Sequence, residues 1–175
     1  MSNWCLTKID INTDSDETAQ AIHDKIEQWL KAPEDESING GDDWLGCLAV
    51  NSGVIASYDD IDESPIACRG SVEDVALDVV SVHLVTSTAW GPMLEPIYRA
   101  IEKNFGLDDI DIVYSAEEPG NELYITNDED IADTYHVEID DEAGRKVLDA
   151  FDACDYECDN YSEKYLIEKL KKAFG

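Results

Sequence analysis

The sequence predicts an α+β fold: a ferredoxin-like antiparallel sheet with helices packed on one face, plus a C-terminal helical extension. Three observations lead there. Short runs alternate apolar and polar residues with the period of a strand, other segments space their apolar residues as a helix does, and the first of these follow in the order strand, helix, strand, strand, helix, strand. The 175 residues are 43% hydrophobic and include four Trp, eight Tyr and three Phe, enough to build one core. The expected division is a ferredoxin-like domain over 1–140 and a helical extension over 141–175 that packs on the same core.

Residues 4–11, WCLTKIDI, place Cys5, Thr7, Ile9 and Ile11 on one face of a half-buried strand. After the Asn-Thr-Asp-Ser turn, Ile22, Ile26, Trp29 and Leu30 recur at helical spacing until Pro33 stops the run. The loop 34–43, with Asn39-Gly40-Gly41, leads to an apolar segment, Trp44 to Val50, that reads as a strand. Residues 51–71 carry Gly53, an acidic run, Pro65 and Gly70, and predict a long loop with a short strand near Val54 to Tyr58.

Residues 78–88, DVVSVHLVTST, are β-branched and alternating, which predicts a central strand with Val80, Val82 and Leu84 facing one way and Val79, Ser81 and His83 the other. The turn Ala89-Trp90-Gly91 then leads to Pro92, suited to the first positions of a helix striped by Leu94, Ile97, Tyr98, Ile101 and Phe105 and ended by Gly106. Alternating runs at Ile110 to Ala116, Glu122 to Thr126 and Thr134 to Ile139 predict a closing meander, with Glu118-Pro119-Gly120-Asn121 as its first turn. Residues 142–159 resume helical spacing, with Val147, Ala150, Phe151, Cys154 and Cys158 on one face and Asp149, Asp152, Asp155 and Asp159 on another. A last helix over about 162–173 buries Leu166, Ile167 and Leu170.

Charge carries the strongest functional signal. Forty-one Asp and Glu stand against twelve Lys and Arg, a formal net charge of -29. Such a chain repels nucleic acid and anionic membrane, which excludes direct binding to either, and attracts a basic protein surface or cations. Acidic residues are spread through the chain, and the end alone reverses the balance, residues 162–175 holding four Lys against two Glu. That basic amphipathic end is suited to docking on the acidic body, with contact to a partner as the alternative. The first fifteen residues have no signal-peptide pattern and no run of about 18 apolar residues occurs, so a soluble cytoplasmic protein is expected. Five cysteines, at 5, 47, 68, 154 and 158, are an odd count that predicts reduced thiols and no disulfide framework.

Three stretches carry a family resemblance: Asn3-Trp4-Cys5 before the first strand, Thr88-Ala89-Trp90-Gly91-Pro92 between a strand and a helix, and Tyr114 to Gly120, YSAEEPG. In these, residues 1–127 resemble the phage and plasmid family of ferredoxin-like domains of unknown function typified by YubB. The resemblance implies the fold and a mobile-element origin, and it brings no catalytic residues with it.

No enzyme signature accompanies the charge. Cys154 and Cys158, four apart on a helix, share their face with Phe151 and Val147, which marks buried core thiols, and no second Cys or His pair has zinc-site spacing. Cys68 beside Arg69 would have a lowered pKa if the guanidinium stayed close, the alternative to an ordinary loop cysteine. His23, His83 and His136 fall in different elements, with no nucleophile elbow or Gly-rich phosphate loop to join. The run Asp10 to Asp14 begins like a calcium loop, but Ser15 and Ala21 replace the turn glycine and the bidentate glutamate. The acidic loop Asp59, Asp60, Asp62 and Glu63 is a candidate for partner contact or weak divalent-cation binding, because a cation relieves adjacent carboxylates.

The ridge Asp149, Asp152, Asp155 and Asp159 steps by three, three and four residues, which lines carboxylates about 5–6 Å apart along one helix side. Such a row imitates backbone phosphates. The expectation is a non-enzymatic acidic binding protein, without cofactor or metal, that occupies the basic groove of a DNA- or RNA-handling protein of host defence. Adaptation to high salt is the rival; nine Lys to three Arg and sixteen undiminished isoleucines oppose it. A weak divalent-cation-binding protein is the other alternative.

Overall fold

The computed structural model describes residues 4–33, 41–118, 123–127 and 135–136. Strand β1 (Trp4–Thr13) is followed by α1 (Asp16–Trp29), a short α2 (Leu45–Asn51) and a single 3-10 turn at Tyr58–Asp60. Then come β2 (Gly70–Asp78), β3 (Ser81–Ala89), α3 (Glu95–Phe105), β4 (Ile110–Glu118), β5 (Leu123–Thr126) and β6 (Tyr135–His136). All the pairings are antiparallel and the strands lie in the order β2-β3-β1-β4-β5-β6. The first four strands, with α1 and α3 as crossovers, are a ferredoxin-like α+β sheet, widened by the expected meander.

Strand β1 shows why the layers form. Cys5, Thr7, Ile9, Ile11 and Thr13 are all buried on one side, and the residues between them are exposed or half-buried. Strand β3 repeats the pattern with Val82, Leu84, Thr86 and Thr88. Against this face α1 buries Ala19, Ile22, Ile26 and Trp29 at the expected helical spacing, and α3 buries Pro96, Ile97, Ala100 and Ile101, whereas Tyr98, expected on this stripe, is exposed. Trp29 meets Phe105 edge-to-face at 6.4 Å and so joins the two helices. The opposite face holds Leu6, Lys8 and Asp10 in register with Ser87, Val85 and His83.

Both crossover helices have local stop and start signals. Ser15 caps α1, its Oγ accepting the Thr18 N–H at 3.1 Å, and Asp16 and Glu17 complement the helix dipole. Asn51 donates through Nδ2 to the carbonyls of Trp29 and Lys31, at 2.8 and 3.0 Å, and so satisfies the end of α1 from α2. Gly106 ends α3 with φ 79.

Four expectations need correction. Trp44 to Val50 is not a strand: Leu45–Asn51 is helical and buried on all sides, from Leu45 through Ala49. A short apolar run has no polar face to reveal its period, so packing alone decides it. No strand forms at Val54 to Tyr58, where turns and the 3-10 turn carry the chain. The run 78–88 is the end of one strand and the whole of another, joined across Val79-Val80, with Asp78 Oδ1 accepting the Val79 N–H at 2.7 Å. Finally, Pro92 precedes α3, and Pro96 takes the early helical position instead. The extension 141–175 lies outside the described residues.

Candidate functional site

Carboxylates line two surface depressions where α1 runs beside the edge strand β2. One is lined by Asp16, Glu17, Gln20, Ala21, Asp24 and Leu77 to Val79, the other by Glu27, Leu30, Lys31, Asp42, Asp43 and Val72 to Val75, and the two together are here called the trough. On the helix side stand Asp16, Glu17, Asp24 and Glu27, separated by steps that keep them on one side of α1. On the strand side the lining residues are Glu73, Asp74 and Asp78, of which Asp74 and Asp78 pair with Val85 and Ser81 and so alternate with the helix-facing Val75 and Leu77, and Asp42 and Asp43 line the same depression as Glu27 and Lys31. Lys31 is the one cation among these lining residues. The floor is apolar, with Ala21, Leu30, Val72, Val75 and Leu77.

Local structure explains both walls. In β2 the register shifts between Val72 and Asp74, a bulge at Glu73, and charge on such an edge opposes pairing with another sheet. Asp42 and Asp43 are positioned by hydrogen bonds: Asp42 Oδ1 accepts the Ala32 N–H at 2.8 Å, Asp43 N–H donates to the Leu30 carbonyl at 2.9 Å, and the Asp43 carbonyl accepts the Val72 N–H at 2.8 Å. Asp43 has φ 67, a left-handed conformation that Asp tolerates better than most residues. Trp44 then locks the segment, its Nε1 donating to the Cys68 carbonyl at 2.8 Å.

Of the residues the sequence singled out, Asp59, Asp60, Asp62 and Glu63 are exposed on and after the 3-10 turn and do not line the trough. Asp60 Oδ2 accepts a hydrogen bond from Ser57 Oγ at 2.7 Å. Asp149, Asp152, Asp155 and Asp159 lie outside the described residues, as do Cys154, Cys158 and the Lys-rich end. Among the described residues the group whose donor atoms come within ligand-sharing distance is His23, Asp24 and Glu27 on α1.

The possible nucleophiles are muted. Cys5, Cys47 and Cys68 are free and buried. Burial pushes the Cys5 and Cys68 thiols up to about 11, and it raises that of Cys47 as well. The expected lowering of Cys68 by Arg69 does not occur: burial raises the thiol, and the guanidinium sits over the Trp90 ring, 4.6 Å from its centroid. His83 pairs with Asp10 at 2.6 Å on the face of the sheet away from the helices.

No protein-family model, curated protein or solved structure matches this chain. Among the described residues no helix is long and apolar enough to cross a membrane.

Proposed function

We propose that the protein is a non-enzymatic acidic binding protein whose carboxylates stand in for nucleic-acid phosphates against a basic surface of a DNA- or RNA-handling protein. The observation that carries this reading is the trough, nine carboxylates to one lysine along a single helix–strand junction. The fourteen residues of α1 extend about 21 Å, over which duplex DNA carries about 12 charges. The nine carboxylates lining the two depressions along this helix and the neighbouring edge strand amount to about three-quarters of that number. The apolar floor adds what a bare phosphate mimic lacks, a place for the aliphatic stem of a bound Lys or Arg. The ridge Asp149, Asp152, Asp155 and Asp159 and the loop Asp59, Asp60, Asp62 and Glu63 are further candidate contacts of the same kind. Resemblance of residues 1–127 to phage and plasmid domains favours a host-defence protein as the target.

Three variants, each raising the formal charge from -29 to -25 by four neutralisations, test the reading. One carries Asp24→Asn, Glu27→Gln, Asp74→Asn and Asp78→Asn in the trough. The others neutralise Asp59, Asp60, Asp62 and Glu63, or Asp149, Asp152, Asp155 and Asp159. Binding to a panel of purified nucleic-acid-binding proteins is measured from about 50 to 500 mM salt, with DNA and RNA as competitors. A target that nucleic acid displaces, and that the trough variant alone loses, supports the assignment. Equal weakening by all three variants would mean that bulk charge, and not this site, does the binding.

A further inference from the structure

His23, Asp24 and Glu27 occupy positions i, i+1 and i+4 of α1, and one donor atom from each lies within 4.8 Å of the others. His23 Nδ1 and Asp24 Oδ1 are 3.5 Å apart. Bonds of about 2.1 Å from zinc to nitrogen or oxygen set two tetrahedral ligands about 3.4 Å apart. The pair therefore already has the spacing of two ligands on one ion, and Glu27, a turn further along the same side, needs only side-chain rotation to supply the third. The His23 side chain is 17% exposed, so packing restricts its ring, and Gln20 Nε2 holds Asp24 Oδ1 at 2.7 Å. Asp24 and Glu27 are also like charges three positions apart, a repulsion that a cation removes.

We propose that His23, Asp24 and Glu27 form a binding site for a late first-row divalent cation of the zinc, cobalt or nickel class. The imidazole decides the class: magnesium and calcium take oxygen ligands, whereas these ions accept nitrogen. It also separates this site from the Asp59 to Glu63 loop, which offers carboxylates alone. Three protein ligands leave a coordination position open to water or to a group from a partner. The site does not depend on the partner assigned to the trough, since it is measured on the isolated chain.

The test uses the full chain after chelator treatment, in millimolar magnesium that occupies diffuse carboxylate sites. Zinc is titrated by calorimetry, and cobalt(II) is titrated while the three histidine ring signals are followed by NMR. The expected result is one saturable zinc site and loss of the His23 signals at substoichiometric cobalt, with those of His83 and His136 retained. His23→Gln and Glu27→Gln should each weaken zinc binding at least about tenfold, as loss of a direct ligand requires, whereas Asp59→Asn with Asp60→Asn leaves it unchanged. Simultaneous broadening of all three histidines overturns the proposal, as does a His23→Gln titration that superimposes on the wild type. The cobalt measurement is made on the unaltered chain, so a variant that folds poorly does not shelter the proposal.

Discussion

Replacing Gly46 by alanine should destabilise the protein, against the usual trend for a glycine in a helix. In α2 the substitution gains about 0.5–1 kcal/mol of helix propensity. The new Cβ, however, falls 2.5–2.6 Å from three atoms of the Trp44 ring. That ring cannot simply swing away, because its Nε1 is bound to the Cys68 carbonyl at 2.8 Å. Moving it forfeits the hydrogen bond, about 0.5–1.5 kcal/mol, and part of the packing of a large aromatic, about 1.5–3 kcal/mol. The balance is a loss of about 1–4 kcal/mol, or roughly 2–16 °C in melting temperature for a chain of this size. Urea unfolding followed by tryptophan fluorescence measures it, and a double-mutant cycle isolates the cause. With Trp44→Ala already in place, Gly46→Ala should become neutral or stabilising by the propensity gain. Stabilisation in the wild-type background would refute the reasoning and show that the indole is not fixed over Gly46.

Ile26→Ala, at a fully buried position of α1, should cost about 2–5 kcal/mol in urea unfolding; a loss under 1 kcal/mol would contradict the packing described here. Ser15→Ala removes the acceptor of the Thr18 N–H and should cost about 1 kcal/mol in the same assay, with Ser15→Asp restoring most of it. Cys5 and Cys68, raised from 9.0 to about 11, should react at pH 8 about 100-fold more slowly with a disulfide reagent in the folded chain than in the unfolded one, beyond any steric protection. The same shifts set an alkaline limit. A folded pKa above the unfolded value contributes stability that is complete below pH 9 and is lost as pH rises through about 11, so melting temperature should fall across that window and fall less in Cys68→Ala.

How much of this fold the sequence made legible follows from which segments have two unlike faces. Residues 4–13, α1 and α3 each bury one side and expose the other, so their periods appear directly in the order of residues. Residues 45–51 have no polar side to lose, and the same letters suit a strand or a helix until the core claims them. The boundary between β2 and β3 is hidden for a different reason. Val79 and Val80 are exposed, at 73% and 41%, yet they are β-branched and continue the pattern of the strands they separate. A turn without Gly, Asn or Pro leaves no punctuation for sequence reasoning to find.

The trough was hidden by the same two misreadings. Its helix wall is visible in the sequence, since Asp16, Glu17, Asp24 and Glu27 share a side of a predicted helix. Its other wall belongs to β2, most of which falls unassigned between the expected loop 51–71 and the expected strand 78–88, and Asp42 and Asp43 are held by a segment whose Trp44 is placed by sequence reasoning inside a strand. Acid spread through a chain looks like a uniform coating until topology decides which carboxylates are neighbours. Here the split crossover does so: β2 must lie beside β3, at the sheet's edge, after the chain has left α1 and passed through α2. Glu73, Asp74 and Asp78 thereby line the same depressions as residues of α1 some fifty positions earlier. The contribution of α2 and the Trp44 lock is to hold Asp42 and Asp43 in the depression that Glu27 and Glu73 also line. A loosened lock, as in Gly46→Ala, should therefore weaken any contact made by that part of the trough while the contact at Asp16, Glu17 and Asp78 survives. Such a graded loss would separate a shaped acidic surface from one that is merely charged.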